Sequence, residues 1–235
     1  RYIDYEKIYL SRFKVLKIAY ERSYASLKNS KSFKEFIESN SYWLDDYALY
    51  MSVKNHFASR SWSEWDDGLR FRKEAVIERF KNEYENEINF FKFIQFKFTE
   101  QWLKLKNYAN ENEVRIIGDI PIYVAYDSSD AWTHPELFQF DESRRPTAVA
   151  GCPPDSYSPT GQLWGSPLYD WDYQRKTSYE WWIQRIAYCF KLYDVVRVDH
   201  FRGLDQYYSI PYGAPTAEKG TWEDGPGFDI FRGLT

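Results

Sequence analysis

Apolar residues recur at helical spacing through the first half of the chain. Between residues 4 and 28, Tyr5, Ile8, Tyr9, Phe13, Leu16, Ile18, Ala19 and Tyr20 fall close to one stripe, which predicts a helix. Phe33, Phe36 and Ile37 predict a short helix over Ser32–Ser39. Asn40 or Ser41 then suits the cap of a further helix over Tyr42–Phe57, with Asp45 or Asp46 in its first turn. The stretch SRSWSEWDDG predicts a loop, and residues 72–109 predict one or two more helices.

The pattern changes near residue 112. Val114–Ile117 is a short apolar run ending at Gly118-Asp119, directly after a long helix, as a parallel strand is entered in an α/β unit. Residues 119–170 hold most of the ten prolines and show little periodicity, which predicts an elaborate functional loop rather than a passive connection. Thr177–Leu192 predicts a helix, Tyr193–Val198 a second strand running into Asp199-His200, and the remainder loop. The order helix, strand, loop, helix, strand, loop predicts an α/β protein. Its two strands each end in an acidic residue, where parallel barrels and doubly wound sheets keep their ligand sites. The expected division is a helix-rich segment over 1–112 and the strand-bearing segment over 113–235.

Charge and composition narrow the function. Lys plus Arg number 31 and Asp plus Glu 35, a net charge of −4, so no basic excess draws the chain to nucleic acid. No apolar run approaches the roughly 18 residues a membrane helix needs, and RYIDYEKIYL has no signal-peptide core. With Cys152 and Cys189 as its two cysteines the chain reads as cytoplasmic, without a disulfide framework or a metal site. Three scattered histidines argue against zinc, and phosphate-binding glycine patterns and nucleophile elbows are missing. Aromatic residues, however, make up 20% of the chain. Such rings either fill cores or form surfaces that stack on the C–H faces of sugars, and composition does not choose between them.

Three features carry candidate chemistry. Asp199 follows a β-branched run, and Arg197, two residues earlier, shares its strand face. A guanidinium beside a carboxylate favours the charged form that a nucleophile requires, although such a pair is also an ordinary structural ion pair. His200 and Arg202 add donors. Asp119, next to Gly118 and shortly before Pro121, is placed either to bind sugar hydroxyls or to cap a turn. The third feature is the proline- and glycine-rich stretch 150–171. It spaces Tyr157, Trp164, Tyr169 and Trp171 along a stiffened loop with Asp155 and Gln162. It reads as a sugar platform or as a loop packed on its own rings.

These residues resemble a known family. GDIPIYVAYDSSDAWTHPELFQFD, RPTAVAGCPPDSYSPTGQLWGSPLYDW and DVVRVDHFRG are similar, in order and spacing, to the amylomaltases, the 4-α-glucanotransferases of glycoside hydrolase family 77. The resemblance implies part of a (β/α)8 TIM barrel with a helix-rich inserted segment, no cofactor and no metal. It implies transfer of α-1,4-glucan segments between maltooligosaccharides by retaining double displacement. By the same resemblance Asp199 is the nucleophile and Arg197 the arginine beside it. Asp119, Asp155, Tyr157, Trp164 and His200 are substrate-binding, with Ser156 where some relatives place a second aromatic. Only Glu218 and Glu223 follow Asp199 as glutamates, and neither resembles the family's acid/base motif, so the chain reads as a central fragment, inactive alone. The alternatives are a maltodextrin hydrolase or debranching relative, or a non-catalytic glucan-binding module.

Overall fold

The structure, a computed structural model, describes residues 2–232 apart from the side chains of Tyr9 and Leu10. The Tyr9 position of the predicted stripe therefore lies outside the described residues. The chain forms two compact units, Arg1–Lys104 and Leu105–Thr235.

The first unit is helical. Helix α1 (Tyr5–Leu27) starts at Asp4, whose carboxylate accepts from the Lys7 N–H, and α2 (Lys31–His56) starts at Ser30, whose hydroxyl accepts from the Phe33 N–H. The predicted break at Asn40 is absent, because Asn40 is a buried mid-helix residue. Its amide donates to the Phe36 carbonyl at 2.7 Å and its oxygen accepts from the Trp43 indole at 3.2 Å. A 3₁₀ turn (Trp62–Glu64), α3 (Asp67–Arg70), α4 (Glu74–Glu83) and α5 (Glu85–Glu111) follow. Tyr20, Phe90 and Phe93 form one core cluster, and Phe33, Phe36, Leu44 and Phe96 another. The stripe predicted for α1 is only partly buried: Leu16 and Tyr20 pack inward, joined by Tyr24 and Leu27 outside the predicted stripe, while Tyr5, Ile8, Phe13 and Ile18 are exposed.

Among the described residues the second unit contains two sheets. Strands β1 (Ile117–Pro121) and β4 (Val195–Asp199) are a parallel pair. Between them lie α6 (Ser129–Thr133), β2 (Ala148–Cys152), β3 (Gln162–Pro167), α7 (Trp171–Lys176) and α8 (Glu180–Leu192). After β4 come β5 (Gln206–Pro211), β6 (Thr221–Asp224) and α9 (Asp229–Arg232). The second sheet is antiparallel in the order β3-β2-β5-β6. The long loops expected over 119–170 and after residue 201 are thus interrupted by this sheet and by short helices, with 122–128, 138–147, 153–161 and 212–220 remaining outside any element. Its core is Val149, Tyr208, Ile210 and Ala217.

The first parallel strand begins and ends later than its apolar run suggests. The pairing with β4 carries it through Gly118, Asp119 and Ile120 to Pro121, so Asp119 lies inside the strand rather than at its end. Gly118 leaves room for the Tyr193 ring, since a Cβ there would sit 2.1 Å from it and force a shift. At the entry to the pair, the Asp194 carboxylate accepts from the Ile116 N–H and the Asn110 amide, each at 2.8 Å. Lys106 lies 3.5 Å from the same carboxylate and donates to the Tyr193 carbonyl at 3.1 Å. Among the described residues no helix is long and apolar enough to cross a membrane.

Candidate active site

The period of two along β4 puts Arg197 and Asp199 on one face, and the register of the parallel pair sets Asp119 opposite Arg197 and Pro121 opposite Asp199. One guanidinium therefore reaches two carboxylates. Arg197 donates through Nη2 to Asp199 Oδ1 at 2.7 Å and through Nη1 to Asp119 Oδ2. The fork of donors on arginine suits this double contact in a way a single ammonium does not. All three side chains are more than half exposed, so the group is open to a ligand. The opposite strand face carries Gly118, Ile120, Val196 and Val198, all less exposed.

Past Asp199 the backbone turns sharply. His200 has φ 51° and ψ 44°, a left-handed conformation that a side-chain-bearing residue rarely adopts. The turn sets its imidazole edge-on to the Trp164 indole, with centroids 4.8 Å apart and planes at 88°. Burial lowers the His200 pKa, Asp199 acts in the opposite direction and Arg202 adds to the lowering, so the ring is neutral at neutral pH. It then offers one donor and one acceptor. The Trp164 indole N–H donates to Gln162 Oε1 at 3.1 Å. An exposed indole thus stands, through His200, next to the carboxylate–guanidinium group.

The stretch 150–171 separates into surface and core. Tyr157 is 95% exposed. Asp155 caps its own loop, accepting from the Tyr157 and Ser158 N–H groups at 2.8 Å each, which is the turn-capping use of aspartate. Gly161, at φ 71°, closes that loop ahead of β3. Tyr169 and Trp171 do not join the platform predicted from the sequence. Both are buried among Phe138, Trp181 and Trp182. Of the seven predicted site residues, Asp119, Arg197 and Asp199 meet directly, and His200 and Trp164 adjoin them. Nothing brings Asp155 or Tyr157 into contact with that group among the described residues. Glu218 and Glu223 accept from Thr216 and Thr221, on the antiparallel sheet side.

Sequence reasoning missed Arg185. This α8 residue donates to the Pro121 carbonyl at 2.6 Å and the Ile122 carbonyl at 3.0 Å. A lone arginine within the apolar run WWIQRIAYCF was the available signal.

Fold and site together define an α/β protein with an arginine-bridged pair of carboxylates on a parallel strand pair, beside an exposed indole. The chain belongs to the 4-alpha-glucanotransferase family, whose profile matches residues 1–235. It is 47% identical over 231 residues to the 4-alpha-glucanotransferase of Clostridium butyricum, covering 98% of this chain and 47% of that protein. It is 41% identical over 232 residues to that of Thermus thermophilus, covering 98% and 46%. The amylomaltase of Streptococcus agalactiae, solved in complex with acarbose, superposes with a TM-score of 0.94 at 37% identity, over 99% of this chain and 47% of that one. The chain spans about half the length of the curated relatives it matches.

Proposed function

We propose that this chain carries the nucleophile half of a 4-α-glucanotransferase site acting on maltooligosaccharides and other α-1,4-glucans. The observation that carries the reading is Arg197, which bridges Asp119 and Asp199 on adjacent parallel strands in a member of this family. In this reading β1 and β4 are neighbouring strands of a (β/α)8 barrel, and their exposed ionic face lines its interior near the C-terminal strand ends. Residues 1–112 are the helix-rich segment of the same catalytic domain, and 113–235 carry the nucleophile strand and the substrate loop.

Asp199 attacks the anomeric carbon of the donor glucan. The glycosidic bond breaks, a general acid protonates the departing sugar oxygen, and a glycosyl ester forms on Asp199. The 4-hydroxyl of an acceptor sugar then displaces the carboxylate and gives its proton to the conjugate base of that general acid, which restores it. Arg197 holds the Asp199 carboxylate in its attacking orientation and ties it to Asp119, which has an oxygen for sugar hydroxyls. His200 and Trp164 form one wall, with the indole face available to a sugar ring and the neutral imidazole to a hydroxyl. Asp155 and Tyr157 act as a substrate loop reaching over the bound glucan, with Asp155 also shaping that loop. The general acid is a role we assign to none of residues 1–235. No cofactor enters this chemistry.

Incubation of the whole protein with maltotriose tests the reading. Glucose together with longer maltodextrins is the expected product pattern. Glucose and maltose without longer products would identify a hydrolase, and binding without turnover a glucan-binding module.

A further inference from the structure

We propose that Arg185 is a positioning residue for the carboxylate pair, an inference that rests on the transferase reading above. The observation is where its guanidinium goes. Arg185 lies in the first half of α8, the helix that leads into β4. Among the described residues it pairs with no carboxylate. It donates to the Pro121 carbonyl at 2.6 Å and to the Ile122 carbonyl at 3.0 Å, at and just beyond the end of β1. Tyr169, fully buried, donates its hydroxyl to the same Ile122 carbonyl at 2.8 Å, and Arg185 lies 3.3 Å from that hydroxyl oxygen.

The strand end needs such a clamp. Pro121, opposite Asp199, is the last residue of β1, and its carbonyl and that of Ile122 need donors from outside the ladder. The guanidinium supplies them from the helix side, and its planar fork serves two successive carbonyls at once. The fork is itself held. Trp181 and Trp182, one helical turn before Arg185, place their rings 5.4 and 4.9 Å from its central carbon. The Trp181 indole is fixed in turn by the Asp130 carboxylate at 3.0 Å. The chain of positions runs from Asp130 and the two indoles to Arg185, then to the end of β1, and so to the register that sets Pro121 against Asp199 and Asp119 against Arg197. Misplacement of a reacting group by about 1 Å costs about 10²-fold in rate. A clamp on this register therefore acts on turnover, while Trp164 and Tyr157, on the β2–β3 segment, continue to bind the glucan.

The test uses the whole protein with Arg185→Met and Arg185→Lys. Arg185→Met is expected to lower kcat for maltotriose consumption by about 10- to 100-fold with KM changed less than about threefold. Arg185→Lys, whose ammonium serves one carbonyl, is expected to recover part of the loss. Amide hydrogen exchange supplies a readout independent of activity. In Arg185→Met, exchange should rise in peptides spanning 117–122 and 195–200 and stay unchanged over 206–211. The proposal is overturned if kcat is unchanged and only Tm falls, if KM alone rises, or if protection of both strands is unaltered. A wild-type protein that hydrolyses rather than transfers overturns the transferase reading, and the consumption rate still judges Arg185. If wild type does not act on maltotriose at all, the exchange measurement alone judges the clamp.

Discussion

Asp199, Arg197 and Asp119 make unequal demands on substitution. In the whole protein Asp199→Asn keeps the shape of the side chain and removes the charge that the proposed mechanism uses for attack. Turnover should fall about 10³-fold or more, with maltodextrin binding by calorimetry retained. Arg197→Lys leaves a cation but loses the fork that reaches both carboxylates, and kcat should fall about 10²-fold. Trp164→Ala removes the ring face and the edge contact with His200, so KM for maltotriose should rise about fivefold, a loss of about 1 kcal/mol. An unchanged KM would take Trp164 out of the sugar wall. The pairing of Arg197 with Asp199 was legible because a strand places residues two apart on one face. That Arg197 also holds Asp119 was not, because it depends on a register between segments 78 residues apart. The aromatic loop was legible in kind but not residue by residue. Tyr157 and Trp164 are exposed, whereas Tyr169 and Trp171 fill the core, and ring spacing along the chain does not distinguish the two fates.

Among the elements, the parallel pair is held at both ends, and the two ends fail differently. At the entry, Gly118→Ala would drive a Cβ to 2.1 Å from the Tyr193 ring, and the ring must move or the strand must lift. Such overpacking costs about 1–3 kcal/mol, to be read as a lower Tm. Asp194 at the same end gives a pH dependence with a definite sign. The Ile116 N–H first, then the Asn110 amide and Lys106, hold its carboxyl below the usual aspartate range. Its contribution is therefore complete above the unfolded value of about 3.9 and is lost as pH falls through the lower folded value. Asp194→Asn should lower Tm near neutrality, and the difference from wild type should shrink on acidification. A difference independent of pH would show that the charge is not what pins β1 to β4. The long helices were readable because their apolar periods are long, and even there Asn40 misled, since a good cap residue is also a buried amide in mid-helix. The antiparallel sheet was not readable. Gln162–Pro167 contains Gly165, Thr221–Asp224 is exposed throughout, and Gln206–Pro211 alternates poorly, so pairing rather than pattern makes them strands.

The whole molecule raises the question of how much of a transferase these residues contain. The helical unit closes its aromatic clusters internally, and the second unit does so around Val149, Tyr208 and Ile210. The β1–β4 pair differs. Among the described residues its sheet has two strands, and the face bearing Asp119, Arg197 and Asp199 also exposes Ile117 and Val195. Two parallel strands with open edges are a template for further pairing, and they do not close a barrel. The proposed retaining mechanism, moreover, needs a second carboxyl about 5–5.5 Å from its nucleophile. Asp119 is tied to Arg197, while Glu218 and Glu223 are bonded within their own segment. A polypeptide limited to residues 1–235 should therefore yield neither glucose nor longer maltodextrins from maltotriose. It should also elute from a sizing column as multimers and bind a hydrophobic dye more strongly than the whole protein does. Transfer products from that polypeptide as a monomer would mean that a carboxyl within it serves as the acid. Glu218→Gln and Glu223→Gln would then identify which, since loss of transfer in one of them would move the second carboxylate onto the β5–β6 connection or onto β6.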